Sequence, residues 1–379
     1  MHLAIDGRAL TDRPTGIGRY VGELVQALAR LSAWGPLEQS VLVPRENRDS
    51  PWVRKLRGCA GLHLYKMSAR ATGAHTIRWD QIVLPALASE IQADALFLPH
   101  INVPLRSRTK TFVVFHDASI YESPSGFGWK SRAYYRTILA AGLRRMTKVI
   151  TVSEWSRAAV LRHFPDLDGK VEVVYPGIAD EFRGVSRGEA QRAVAQEFSI
   201  RGPYVLYSGG LGARKNLRRA LRAFAGAVSE ATLPHLLVMT GAPSSSATDL
   251  IAEACSNGVR GRVIQLGHVS DAALPNLYAA SDLCLYPSLY EGFGFPVAEA
   301  LAAGTPSVTS ADSPMQEVAG EAALYADPTS VEEIQHAIVT ALTDAALRQR
   351  LVACGQQRVR AFTWDTCAAA ICRLLIEHQ

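Results

Sequence analysis

The chain has 379 residues, of which 48% are hydrophobic, and a formal net charge of +5. That length exceeds one ordinary core and suits two domains, each with enough apolar residues to bury an interior. The composition excludes a low-complexity or repeat protein, and no run of about 18 apolar residues predicts a membrane span.

The charge is unevenly distributed along the chain. Residues 1–180 contain 24 Lys and Arg against 16 Asp and Glu, whereas residues 181–379 contain 16 against 19. A basic first half favours anionic partners such as phosphates or anionic lipid. Nucleic acid is the least favoured of these, because no compact Lys/Arg tract or aromatic RNA-binding pattern accompanies the charge.

Two further features concern the cellular compartment. The first residues, MHLAIDGRAL, do not join a charged segment to a long apolar core, so they do not predict a signal peptide. The six cysteines form no C-x-x-C pair and have no histidines at metal-binding spacing. We therefore interpret them as reduced thiols and expect a cytoplasmic protein.

Short apolar runs alternate with amphipathic segments along most of the chain. In the first half, such runs predict buried strands at 2–6, 40–43, 95–98, 111–115, 148–152 and 171–174. Helical patterns, such as 17–31 and 130–146, separate several of them. After a polar stretch, 183–202, further runs predict strands at 204–208, 235–240, 262–266, 282–286 and 306–310.

This alternation predicts an α/β protein made of two doubly wound, Rossmann-like domains. We place the first domain at 1–184 and the second at 185–361, with a linker between them. Ligands of open parallel sheets bind at the carboxyl ends of the strands. Two such domains facing across a cleft would bring together the loops that follow their strands.

The segment YEGFGFPVAEAL, 290–301, follows a predicted strand. Gly292 and Gly294 permit a tight reversal, and Pro296 suits the first turn of a helix. Free N–H groups at 295–298 would then form an anion site at the start of that helix.

An acid lies on each side of this turn, Glu291 in the loop and Glu299 in the helix. Two carboxylates that bind hydroxyls beside a phosphate site fit the chemistry of a sugar nucleotide. The alternative is helix capping next to an exposed acid.

A second glycine-rich loop, SGGLGARKNL at 208–217, follows another predicted strand. Arg214 and Lys215 would stabilise the negative charge that develops on a departing diphosphate. The loop lacks the spacing of a Walker A motif, and a solvated basic turn is the alternative.

The first strand is followed by TGIGRYVGEL, 15–24, with Gly16 and Gly18. We do not predict a nicotinamide site, because the glycines lie far beyond the strand and the third falls at 22. A glycine-rich loop that faces the cleft is our interpretation, and a plain flexible loop is the alternative.

Single polar residues follow other predicted strands. His116 would contact substrate at a strand end, although a lone histidine is often a packed or capping residue. Ser153 and Gly267 are candidates of the same kind, with a helix cap and a plain turn as alternatives. We reject a metal site at Asp166-Leu-Asp168, because that triplet precedes a strand instead of following one.

Together these segments resemble the retaining glycosyltransferases of sequence family 4, which have the GT-B fold. The resemblance covers nearly the whole chain and is strongest in the E-x7-E motif from Glu291 to Glu299, followed by GLGARKN, TGIGRY, FHD and TVSEWSR. It implies that a last helix, within 362–379, crosses back to pack on the first domain. It also implies an enzyme that needs no metal.

The resemblance further implies roles at matching positions. Glu299 would bind the nucleotide ribose, Glu291 would face the donor sugar, and Lys215, helped by Arg214, would neutralise the diphosphate. His116 would contact the donor sugar from the first domain. The other implied donor-binding residues are Gly16, Gly18, Ser153, Gly267, His268, Val269, Phe293, Gly294, Phe295, Pro296 and Val297. One departure is Gly209, where many family members have an additional arginine.

TGIGRY and the RKN loop are similar to bacterial mannosyltransferases, which implies GDP-mannose as donor, with a UDP-hexose as the alternative. The implied acceptor is a lipid-linked glycan in surface polysaccharide or lipopolysaccharide synthesis. The basic, aromatic stretch 129–145 would lie on the anionic cytoplasmic face of the inner membrane, or else is a solvated helix face. A sugar-nucleotide epimerase and a non-catalytic binding protein are the alternative functions.

Overall fold

A computed structural model describes residues 1–12, 15–31, 37–123, 128–241, 249, 251–252, 259 and 261–378. The chain divides into two units, one formed by Met1–Gly177 with Phe362–Gln379 and the other by Ile178–Ala361. Our sequence boundary lay later, at residue 184. The structure assigns the intervening residues to the second unit, where the ring of Phe182 packs edge-on against Tyr278 at 5.7 Å.

The first unit contains a seven-stranded parallel sheet with the order β3-β2-β1-β4-β5-β6-β7. Its strands are β1 His2–Asp6, β2 Glu38–Val43, β3 Leu62–Lys66, β4 Ala95–Leu98, β5 Lys110–Phe115, β6 Lys148–Thr151 and β7 Val171–Val173. Strand β1 lies inside the sheet and pairs on both sides, Ile5 lying opposite Val41 and Phe97. Helices cover both faces of such a sheet, which explains the continuous apolar runs.

The second unit contains a six-stranded parallel sheet with the order β10-β9-β8-β11-β12-β13. Its strands are β8 Tyr204–Tyr207, β9 Leu236–Thr240, β10 Val263–Gly267, β11 Leu283–Tyr286, β12 Ser307–Ser310 and β13 Ala323–Ala326. The two sheets confirm the predicted fold class. Strands β3 and β13 were not predicted. Both lie at sheet edges and are partly exposed, and β3, LHLYK, interrupts its apolar residues with polar ones.

The helices follow the strands in both units. In chain order they are α1 Gly16–Arg30, α2 Pro51–Leu56, α3 Thr76–Arg78, α4 Leu84–Glu90, α5 Ser119–Glu122, α6 Trp129–Tyr134, α7 Ala140–Leu143, α8 Glu154–His163, α9 Arg187–Phe198, α10 Leu217–Glu230, α11 Leu274–Ala280, α12 Phe295–Ala302, α13 Pro314–Ala319, α14 Val331–Thr343, α15 Ala345–Arg358 and α16 Trp364–Glu377. Two π-helical stretches, Trp79–Val83 and Tyr135–Leu139, join α3 to α4 and α6 to α7.

The polar stretch 183–202, which we interpreted as a linker, contains helix α9. Ala190 and Val194 are buried on one face of this helix, which packs on α11. Only these two residues of the helix are fully buried, so the surrounding Arg and Glu residues hid the helical pattern.

The C-terminal helix α16 completes the first unit and packs against α1. The ring of Trp364 lies edge-on to Tyr20, at a centroid distance of 5.4 Å. Gly177 allows the chain to approach closely, because a Cβ there would lie 2.2 Å from the backbone nitrogen of Trp364.

The described residues bear on two expectations from the sequence, the state of the cysteines and the lack of a membrane-spanning helix. Their cysteines, at 59, 284, 354, 367 and 372, carry free thiols, and Cys255 lies outside the described ranges. Within those same ranges, no helix has both the length and the apolar character needed to cross a bilayer.

Candidate functional site

The loops that follow the strands of the second sheet contact one another at the carboxyl edge. The N–H of Gly209, after β8, donates to Thr240 Oγ1 at 3.3 Å, and the N–H of Gly241 donates to Gly267 O at 2.8 Å. The hydroxyl of Ser310, the last residue of β12, donates to Ser288 O at 2.7 Å. The sheet therefore gathers the candidate loops 208–217, 267–269 and 287–294 at one edge.

Lys215 and Glu291 form an ion pair at this edge. Lys215 Nζ lies 2.5 Å from Glu291 Oε1, and it also donates to the hydroxyl of Tyr286 at 2.6 Å. The same carboxylate oxygen accepts from Tyr286 at 2.9 Å and from Ser288 at 2.6 Å. Glu291 is only 8% exposed, so the pair is largely removed from water.

Neighbouring residues fix the loop that carries Lys215. Asn216 adopts a left-handed conformation, with φ 63°, and its amide donates to Pro287 O at 2.9 Å and Pro328 O at 2.6 Å. Arg214 Nη1 donates to Tyr290 O at 2.6 Å and lies 3.4 Å from Glu291 Oε2. Two cations are thus held against one carboxylate, on loops that are hydrogen-bonded together.

The electrostatics keep Glu291 ionised. Burial by itself raises the pKa of this carboxyl, but the charges of Lys215 and Arg214 and the hydrogen bonds from Lys215 and Ser288 outweigh it. The pKa of Glu291 therefore lies below its ordinary value. In contrast, burial and the nearby carboxylate raise the pKa of Tyr286, which stays a neutral donor.

Glu299, the second acid of the motif, lies in α12 and is 6% exposed. Its Oε2 accepts a hydrogen bond from the hydroxyl of Tyr278 at 3.0 Å. The two acids thus have different environments, Glu291 beside two cations and Glu299 beside a phenol.

The turn before α12 depends on Gly294. This residue has φ 99°, and a Cβ there would lie 2.6 Å from the Cγ of Met315. We expected free N–H groups at 295–298, and this is wrong for Pro296, which has no N–H, and for Val297 and Ala298. The latter two donate to Gly294 O, at 3.0 and 3.2 Å, because the first helical turn closes on that carbonyl.

Two glycines mark the other loops of this edge. Gly209, where many family members have an arginine, has φ 122°, a conformation that strains any side chain. Gly267 ends β10 with φ 71°, and the exposed His268 and partly buried Val269 follow it. Gly209 lies beside Tyr286 and Pro296, since a Cβ would be 3.7 and 4.0 Å from them.

His116 follows β5 in the first unit, at the carboxyl edge of that sheet. Its Nε2 lies 2.9 Å from Pro99 O, which only accepts, so Nε2 carries the proton and Nδ1 of the neutral ring is an acceptor. Tyr20 lies edge-on to the imidazole at 4.9 Å. Burial lowers the pKa of His116, although the hydrogen bond to Pro99 partly opposes this.

The remaining candidates of the first unit lie at helix starts. Gly16 and Gly18, which we expected in a loop, are in the first turn of α1, because Thr15 caps the helix and accepts from the N–H of Gly18 at 3.4 Å. Ser153 caps α8, accepting from Ser156 N at 2.9 Å, and the hydroxyl of Ser156 donates to His116 O at 3.1 Å. The binding roles of these residues stay predictions.

Several polar residues of the two sheet edges were not predicted from the sequence. In the second unit these are Tyr278, Tyr286 and Ser288, which bind the two acids of the motif. In the first unit they form a buried cluster at the carboxyl edge: Asp6, Arg8, Asp80, His100 and Asn102. The DGR triplet straight after the first apolar run was the available signal for that cluster.

Asp166, in the triplet that we rejected as a metal site, pairs with an arginine. Its oxygens accept from Arg144 Nε at 2.6 Å and Nη2 at 3.0 Å. Arg157 lies 3.5 Å from Asp168. Both carboxylates therefore have a cationic partner on the surface of the first unit.

Sequence comparisons match the two halves of the chain separately. The family model described as Glycosyltransferase Family 4 matches residues 14–182, and the one described as Glycosyl transferases group 1 matches residues 192–358. The chain is 31% identical over 271 residues to the O-antigen chain mannosyltransferase B of Escherichia coli, which covers 71% of this chain and 70% of that protein. It is 27% identical to the mannosylfructose-phosphate synthase of Agrobacterium fabrum, over 78% of this chain and 66% of the other.

A solved structure shares the architecture. The sucrose-phosphate synthase of Thermosynechococcus elongatus superposes with a TM-score of 0.79 at 19% identity, over 100% of this chain and 98% of its own. A likeness at this identity concerns the fold alone. Since a glycosyltransferase model matches each half of the sequence and a relative above 30% identity spans most of both chains, this chain belongs to glycosyltransferase family 4 and has the GT-B fold.

Proposed function

We propose that this glycosyltransferase moves mannose from GDP-mannose to a hydroxyl of a lipid-linked glycan, with retention at the anomeric carbon. The observation that carries the proposal is the buried pair of Lys215 and Glu291 at the carboxyl edge of the second sheet, where parallel α/β sheets bind ligands. A desolvated ammonium at that edge would attract a diphosphate, which supports the proposal.

Lys215 and Arg214 would stabilise the leaving nucleoside diphosphate. Both side chains are held by partners before any substrate binds, Lys215 by Tyr286 and Arg214 by Tyr290 O. Preorganised cations in a water-poor site stabilise developing negative charge far better than mobile cations in water. Without a donor, Glu291 balances the positive charges of Lys215 and Arg214. We expect a bound diphosphate to balance part of that positive charge in its place.

Glu291 would orient the donor sugar. Its Oε1 already accepts from Lys215, Tyr286 and Ser288, and its Oε2 lies beside Arg214. A carboxylate engaged in this way is a poor nucleophile, so a covalent sugar–enzyme intermediate on Glu291 is disfavoured. This supports departure of the diphosphate and attack by the acceptor on the same face of the sugar.

The donor is proposed from the similarity to mannosyltransferases. The relative from Escherichia coli is named an O-antigen chain mannosyltransferase, and the one from Agrobacterium fabrum a mannosylfructose-phosphate synthase. The first of these also motivates the glycan acceptor.

We also propose that transfer needs no metal ion. Two cationic side chains, Lys215 and Arg214, would supply the positive charge that a divalent cation gives in other enzymes of sugar nucleotides. Turnover of the purified protein in excess EDTA, compared with added Mg²⁺ or Mn²⁺, tests this. A rate that falls in EDTA and returns with metal would remove the proposal.

We propose further that the chain contacts an anionic membrane through the stretch 129–145. Arg132 and Arg136 lie in its helical part, whereas Arg144 is occupied by Asp166. Sedimentation with vesicles of anionic phospholipid at low salt measures this contact. An Arg132→Gln, Arg136→Gln double variant should bind these vesicles more weakly than the wild type. If both proteins sediment equally with the vesicles, the stretch 129–145 is excluded as the membrane contact.

The experiment for the whole proposal is nucleotide release from a panel of GDP- and UDP-sugars, with and without lipid-linked acceptor. We expect acceptor-dependent release of GDP from GDP-mannose, and NMR of the product should show the donor's anomeric configuration. Release from a UDP-hexose would reassign the donor, and release without acceptor would indicate an epimerase or hydrolase. If no nucleotide is released from any of these donors, the result would favour a non-catalytic binding protein.

A further inference from the structure

A buried polar cluster occupies the carboxyl edge of the first sheet. Asp6 ends β1, Arg8 follows it, and His100 lies just beyond β4. In the sheet order, β1, β4 and β5 are neighbours, so this cluster lies along the same edge as His116, which follows β5. The π-helical stretch Trp79–Val83 supplies Trp79 and Asp80.

Asp6 is fully engaged inside this cluster. Its carboxylate accepts from Arg8 Nε at 2.7 Å, from Trp79 Nε1 at 3.2 Å and from His100 Nε2 at 2.8 Å, and its side chain is 0% exposed. His100 is engaged too, since its Nδ1 accepts from the N–H of Asn102 at 3.3 Å. Neither residue has capacity left for a ligand.

Arg8 differs from its neighbours because one of its nitrogens lacks a partner. Nε binds Asp6 and Nη2 binds Asp80, whereas Nη1 is buried and makes no hydrogen bond to any described residue. A buried donor on a charged group is costly to leave unpaired, and such groups in folded proteins usually meet water or a ligand. The Arg8 side chain as a whole keeps 11% exposure although Nη1 itself is buried, so other atoms of this residue reach the surface.

The charges around Arg8 decide which ligand suits it. Two carboxylates, Asp6 and Asp80, already face the single guanidinium. A phosphate would add negative charge beside them, whereas a neutral hydroxyl oxygen accepts from Nη1 without repulsion.

Aromatic side chains border the cluster on one side. Tyr135 donates its hydroxyl to Asn102 Oδ1 at 3.1 Å, and Asn102 donates to Asp80 at 3.1 Å. Tyr134 lies edge-on to Tyr135 at 5.5 Å, and both tyrosines are partly exposed. Amide, guanidinium and partly exposed aromatic groups together suit a sugar, which offers hydroxyls and an apolar ring face.

We propose that Arg8 binds the acceptor glycan, with Nη1 donating to a sugar hydroxyl and Asp6 and Asp80 holding the guanidinium in place. The proposal rests on the proposed function in that it takes the acceptor to be a saccharide. It makes Arg8 an acceptor-specificity residue, separate from the donor-binding residues of the second unit.

Arg8→Lys is the variant that tests it, because lysine keeps the positive charge between the two carboxylates but lacks the second guanidinium nitrogen. We expect the KM for acceptor to rise about tenfold or more, as for a lost hydrogen bond to a charged group. The KM for donor and the affinity for nucleotide should stay within about twofold. Arg48→Lys is the matched control, since Arg48 lies in the same unit and donates to the carbonyl of Met67.

Thermal unfolding must first show that Arg8→Lys folds. If that variant does not fold, a crystal of the wild type soaked with a mannose-containing oligosaccharide tests the role of Arg8 instead. Sugar density within hydrogen-bonding distance of Nη1 supports the proposal, and density elsewhere overturns it.

A folded Arg8→Lys variant with unchanged acceptor KM, or with a raised donor KM instead, also overturns the proposal. An array of mannose-containing oligosaccharides, probed without donor, separates this inference from the proposed function. Binding that Arg8→Lys loses supports the role of Arg8 even if no transfer is detected. If the wild type transfers the sugar, but wild type and Arg8→Lys bind the array equally, the proposed role of Arg8 is overturned and the proposed function stands.

Discussion

The ammonium of Lys215 lies 2.5 Å from Oε1 of Glu291, and the two side chains are 17% and 10% exposed. Tyr286 joins them, accepting from the lysine and donating to the glutamate. Removing either charge alone leaves the other in a water-poor site without its main partner. Catalytic and structural effects are therefore coupled at this position and have to be measured separately.

Lys215→Ala should lower kcat at least about 100-fold, the size expected when an electrostatic stabiliser of the transition state is lost. It should also lower the free energy of unfolding by about 3 kcal/mol, because Glu291 loses its main ion-pair partner. Urea unfolding and steady-state kinetics measure the two effects.

The double variant Lys215→Ala, Glu291→Gln should recover part of that stability but none of the activity, because no unpaired carboxylate is left. Arg201→Ala, at an exposed position of the same unit, is the control and should change neither. A double variant less stable than Lys215→Ala would show that the pair is not the source of the stability loss.

The stability contributed by Glu291 should depend on pH with a definite sign. Its pKa in the folded protein is below the ordinary value of about 4.3, so the ion pair stabilises above that pH. The contribution is lost as the pH falls through the lower, folded pKa. We expect the difference in unfolding free energy between wild type and Glu291→Gln to stay constant from pH 7 to about 5, and to narrow below about pH 4.3. A difference that widens in acid would contradict the direction of this shift.

Gly294→Ala should disrupt the turn that precedes α12. At φ 99° an alanine is strained, and its Cβ would overlap the side chain of Met315. We expect a loss of about 2–4 kcal/mol in unfolding free energy, from backbone strain and overpacking together. Nucleotide affinity should fall in parallel, as isothermal titration would show. Gly202→Ala, where a Cβ meets nothing within 4 Å, should be neutral in both measurements.

Tyr278→Phe should weaken donor binding without changing the chemical step. The substitution removes the hydrogen bond that orients Glu299, so we expect the donor KM to rise about 3- to 10-fold and kcat to stay within about twofold. Tyr204→Phe is matched to it, since Tyr204 is buried in the same unit and donates to Leu277 O. If both variants raise the donor KM equally, the effect comes from general packing and not from Glu299.

Local sequence patterns were sufficient to predict the fold class because most strands are largely buried and rich in apolar residues. Edge strands such as β3 were not predicted, because a strand that is exposed on one side does not need a continuous run of apolar residues. Helix α9 was not predicted for a related reason, because Ala190 and Val194 are its only fully buried residues.

The candidate site was predictable where its residues are close in sequence. Glu291 and Glu299 share one motif, and Lys215 lies in a recognisable loop. Tyr286 could not be found in the same way, because a tyrosine in an apolar strand looks like an ordinary core residue. Asp6 and His100 are 94 positions apart, and only the neighbouring positions of β1 and β4 in the sheet bring them together.

The position of α16 has a consequence for biosynthesis. This helix, Trp364–Glu377, is translated after the whole second unit, yet Trp364, Cys367 and Ile371 supply apolar surface to the first. A nascent chain emerging from the ribosome can thus finish its later unit before its earlier one. Until α16 has been translated, the apolar face of α1 lacks its cover, and this is the interval in which we expect chaperones to bind the growing chain.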